Sequence, residues 1–97
     1  MKIYKDASLT KPVDILDLGI VQADDSKEYL FYVYNDTKAD LKNLKFKISH
    51  KEVEILDAPK TIDSKSLAKL KIKWSPSLTL KEGLKTKIEI KGVELWS

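Results

Sequence analysis

Cysteine is absent from the 97 residues, so neither a disulfide framework nor thiolate chemistry is available. Arginine is absent as well: all 18 basic residues are lysine. That removes the planar guanidinium fork favoured for bidentate contact with phosphates and base edges. His50 stands alone, so no histidine pair is on hand for zinc. Three glycines are too few for a glycine-rich phosphate loop. No apolar run approaches the roughly 18 residues of a membrane-crossing helix, and no membrane partner is expected. The opening MKIYKDASLTK lacks the apolar stretch of a signal peptide. A reducing, cytoplasmic setting is the expectation.

What the chain does have is alternation. The length fits one domain over residues 1–97. Its longest run of β-formers is KEYLFYVYNDT, from Lys27 to a polar turn at Asn35-Asp36. With period 2, Tyr29, Phe31 and Val33 share one face and Leu30, Tyr32 and Tyr34 the other. Both faces are apolar, as in a strand covered on both sides or one whose outer face meets a partner.

Three further stretches alternate lysine with apolar residues: Leu41–Ser49, Ser66–Trp74 and Leu84–Lys91. Leu44, Phe46 and Ile48 are expected to face a core, as are Leu70, Ile72 and Trp74, with the intervening lysines in water. Shorter strands are expected at Lys2–Tyr4, Val13–Val21 with a bulge or bend at Gly19, Val53–Leu56 and Val93–Trp96, the last separated by an interruption at Gly92. Asn35 is expected to cap its turn through its side chain. Pro76 should end the strand that closes in Trp74, whose indole N–H requires an acceptor. Short strands, turn signals and no helical period predict an all-β antiparallel sandwich of about seven strands.

Charge divides unevenly. Residues 1–40 hold 5 Lys and 8 acids (−3), and residues 41–97 hold 13 Lys and 7 acids (+6). These lysines are expected on the solvated faces of strands; the alternative is that the basic half attracts phosphate or an acidic partner. Without arginine, and with only Tyr32 and Tyr34 near lysines as stacking platforms, nucleic acid is not the expected partner.

The order of signals resembles a known group. Leu18-Gly19-Ile20-Val21 leads into a polar turn and a strand ending Val33-Tyr34-Asn35; Ala58-Pro59 and Thr61-Ile62 follow, then Leu70-Lys71-Ile72-Lys73-Trp74-Ser75-Pro76. This looks like the immunoglobulin-like domains of the abnormal-spindle/hydin and major-sperm-protein group over roughly residues 13–92. Leu18 departs from the aromatic usual there, the turn at Asp24-Asp25 has no glycine, and six or seven residues remain after Ile90 for a closing strand. A single short domain of this kind also resembles the small immunoglobulin-like accessory proteins of tailed-phage virions. That resemblance implies an immunoglobulin-like sandwich with a structural role, in a virion assembled in a host cytoplasm, against a capsid or other virion protein and further copies of itself.

The residues offer little for catalysis. His50 lies in a charged turn beside Lys51 and Glu52, and no nucleophile and orienting acid are arranged with it in sequence. Asp24, Asp25, Ser26 and Glu28 lack the spacing and glycine of a calcium loop. Asn35-Asp36-Thr37 matches a glycosylation sequon but reads as turn chemistry. A non-enzymatic interaction module without cofactor or metal is expected, and Leu30, Tyr32, Tyr34, Leu95 and Trp96 are its expected contact residues. The alternative is an intracellular adaptor that binds peptide motifs or accepts an added strand at an open sheet edge.

Overall fold

The computed structural model describes residues 2–5, 8 and 12–95. Eight strands follow in order: β1 (Lys2–Tyr4), β2 (Leu16–Gly19), β3 (Lys27–Tyr34), β4 (Asp40–Ile48), β5 (Val53–Asp57), β6 (Leu67–Trp74), β7 (Leu84–Thr86) and β8 (Ile88–Leu95). Strands β1, β3, β6 and β5 form one four-stranded sheet in the order β1-β3-β6-β5. Two further antiparallel pairs, β2 with β7 and β4 with β8, complete an all-β, sandwich-like arrangement.

Alternation explains which faces meet. Phe31 and Val33 on β3 and Leu70, Ile72 and Trp74 on β6 are buried; the opposite face carries Lys69, Lys71 and Lys73 on β6 and Leu30, Tyr32 and Tyr34 on β3. Leu16 and Leu18 of β2, Leu41 and Leu44 of β4 and Leu84 of β7 join them in a single core cluster. The four-stranded sheet is therefore covered on one side by the two paired ribbons. Each fully buried aliphatic side chain contributes roughly 1.5–3 kcal/mol by leaving water.

Three differences from the sequence reading have physical causes. First, the strand expected over Val13–Val21 is cut to Leu16–Gly19. The residues before it belong to the other sheet: the Val13 N–H donates to the Ile3 carbonyl at 2.8 Å, and Pro12 bridges Tyr4. Second, the last strand does not stop at Gly92. β8 runs through it to Leu95, opposite Asp40. Strand β4 carries the extra residue there, with Asn43 at φ +52 and a register shift between Lys42 and Lys45. A Cβ on Gly92 would lie 2.6 Å from Leu44 Cδ2, so the glycine makes room for a core leucine at the bulge. Third, the run from Leu84 changes partner at Lys87, pairing first with β2 and then with β4.

Gly19 does mark a bulge, with φ +66 and a register shift after Asp17. Its carbonyl lies so near Gly83 (φ +78) that a Cβ on Gly83 would sit 2.6 Å from the Gly19 oxygen. The two glycines let the β2 and β7 ends close on each other.

Candidate functional site

The two ends of the fold are held by polar side chains. At one end Asn35 is fully buried. Its Nδ2 donates to the carbonyls of Ala39, Ile62 and Asp63 at 2.7, 3.1 and 3.2 Å. Its Oδ1 accepts from the N–H and the hydroxyl of Thr37 at 3.1 and 2.6 Å. Every hydrogen-bonding position of the amide is occupied, so Asn35 ties the β3–β4 turn to the segment before β6. A glycan has no access to it in the folded chain.

At the other end the His50 Nδ1 accepts from the Glu52 N–H at 3.3 Å, a turn contact. The Glu52 carboxylate accepts from the Ser77 N–H at 2.9 Å, and this bond holds its pKa below the usual carboxylate range. Neither residue orients the other as a base. Asp24 takes a left-handed turn conformation (φ +67) and is held by its N–H on the Pro76 carbonyl. Among the described residues no group of three or more His, Cys, Asp or Glu side chains gathers where a metal could bind.

Trp74 is fully buried, but its Nε1–H meets no acceptor among the described residues. The indole sits in the apolar core cluster with Leu70 and Ile72. Tyr29 is better provided for: its hydroxyl donates to the Leu18 carbonyl at 2.6 Å, pinning β3 to β2, and burial raises its pKa.

The outer face of the four-stranded sheet carries the apolar strip. Leu30 is 44% exposed, and Tyr32 and Tyr34 are half-buried beside it. Register shows what flanks them: Lys71 opposite Leu30, Lys69 opposite Tyr32, and Lys2 and Leu67 opposite Tyr34. Leu67 is 40% exposed and extends the strip onto β6. Sequence reasoning passed over it, although it falls two residues before Lys69 on the outward row of that strand. Tyr4 is opposite Tyr32, on the same face, but is buried. Two exposed ion pairs border this sheet, Lys71–Glu28 at 3.3 Å and Lys2–Asp36 at 3.9 Å. At that exposure each is worth under about 1 kcal/mol.

The remaining expected contact residues are elsewhere. Leu95 ends β8 in the β4–β8 ribbon, opposite Asp40, and so belongs to a different sheet from the Leu30 strip. Trp96 lies outside the described residues. Comparison with known proteins finds no matching family model, no similar curated protein and no similar solved structure.

Proposed function

We propose that this domain is a non-enzymatic, immunoglobulin-like sandwich that works by protein–protein contact, with Leu30, Tyr32 and Tyr34 as the centre of its contact face. The observation that carries the reading is the outer strip of β3, where three large apolar or aromatic side chains in a row stay partly open to water. Tyrosine suits such a face because it brings area and a hydrogen-bonding hydroxyl at small entropic cost. The lysine stems of Lys69 and Lys71 on the paired strand give the strip a polar rim.

The resemblance to phage accessory proteins suggests the narrower form: copies of the chain associate through this face and decorate a capsid or head–tail surface. Replacing both Tyr32 and Tyr34 with lysine tests it. The double variant is expected to keep its far-UV circular dichroism and thermal transition while losing association. Association that survives both changes would remove the strip from the interface.

A further inference from the structure

A second surface lies along β8. Strand β4 pairs with β8 over residues 88–95, and no other described strand pairs with that stretch. Its second edge therefore presents backbone N–H and C=O groups without a partner among the described residues. Beside it is a cleft of about 390 Å³ lined by apolar Ile3, Val13, Ile88 and Ile90, together with Lys2 and Asp14. Ile88 and Ile90 remain half-buried there. An unpaired edge next to a cleft of this kind has the parts a β-strand needs: main-chain partners along the edge and room for alternate side chains.

The charges select what kind of strand. Lys87 and Lys91 are exposed beside the inward Ile88 and Ile90, with the exposed Glu89 between them and the exposed Glu94 further along β8; Lys85, on β7, is opposite Asp17 of β2. Lys91 is directly opposite Lys45, a like-charge pair that is unfavourable across a ribbon. Among the described residues none of these lysines has a carboxylate within ion-pair distance. A second copy would bring the same lysines, and in the register that sets Lys87 against Lys91 it would meet repulsion, with Glu89 against Glu89 as well. An acidic strand would relieve it.

We infer that the free edge of β8 accepts an extended segment of a partner protein that alternates apolar residues, inserted beside Ile88 and Ile90, with acidic residues facing Lys87 and Lys91. This goes beyond the Leu30 strip: the accepting edge is on β8, in a different sheet, although Lys2 and Ile3 of β1 line the cleft beside it, and variants on β3 and on β8 test the two surfaces separately.

The test uses the whole protein and two short synthetic peptides, one alternating valine with glutamate and the other valine with lysine. The glutamate peptide is expected to bind, to slow hydrogen exchange of the β8 amides, and to weaken as salt is raised. Lys87→Glu with Lys91→Glu, both at exposed positions, should reduce that binding about tenfold or more and favour the lysine peptide. Equal binding of both peptides to the unmodified protein, or protection that bypasses β8, would overturn the inference. So would a concentration-dependent dimer that Glu89→Lys abolishes, because in the register centred on Ile90 Glu89 faces Lys91 of a second copy, and the edge would then belong to self-association. Tyr32→Lys with Tyr34→Lys should leave peptide binding unchanged.

Discussion

Asn35 is the single side chain on which most of the turn architecture depends. Replacing it with alanine removes five hydrogen bonds: the Thr37 N–H loses its acceptor, and the carbonyls of Ala39, Ile62 and Asp63 keep only the Thr37 hydroxyl, the Leu41 N–H and the Ser66 N–H. The expected loss is about 3 kcal/mol, read from the urea midpoint at unchanged slope. The glycines divide in an informative way. Gly19 has open space where a Cβ would go, so Gly19→Ala costs only the strain of φ +66, about 1 kcal/mol. Gly83→Ala adds a backbone clash at 2.6 Å and should cost at least about 2 kcal/mol more in the same assay. Glu52 sets a pH dependence. Its folded pKa is depressed by the Ser77 N–H, so its contribution is present above the ordinary carboxylate range and is lost as pH falls through the folded value. Glu52→Gln should therefore flatten the fall in stability as pH drops through and below the ordinary carboxylate range, followed by denaturation at each pH. The turn at Asn35 was legible from Asn-Asp-Thr, but its partners 27 and 28 residues away were not, because a turn signal is local and these bonds depend on the sheet's closure.

At the scale of elements, β3, β4 and β6 could be read almost to the residue. Each is long enough for its alternation to show, and each buries one face. The last run was harder. A period of 2 continues from Leu84 to Lys91 whether or not the strand changes partner, so the pattern carried no sign of the switch at Lys87. Gly92 looked like an interruption because the bulge that explains it lies on the other strand, at Asn43. Gly92→Ala tests that explanation. The contact it makes is with the flexible end of Leu44, so a loss of about 1 kcal/mol is expected, with exchange protection reduced at Leu44 and Lys45 first. The contact strip was legible in part: Leu30, Tyr32 and Tyr34 follow from β3 alone, whereas Leu67 requires knowing that β6 lies beside it.

For the whole molecule, the two long outer surfaces differ in character. The four-stranded sheet shows an aromatic strip with lysine at its borders, and the β7–β8 run shows exposed lysines beside an apolar cleft. The excess of positive charge in residues 41–97 falls mainly on strands β4 and β6, each with three lysines alternating with other residues, which explains why one half of the sequence is basic without any linear basic motif. Function on this account is contact, and the contact face on β3 is its centre. Light scattering on the purified chain across a concentration series, beside the Tyr32→Lys and Tyr34→Lys double variant, tests that claim most directly. The account predicts a defined oligomer for the unmodified chain and a folded monomer for the double variant. Equal masses for the two at every concentration would contradict it.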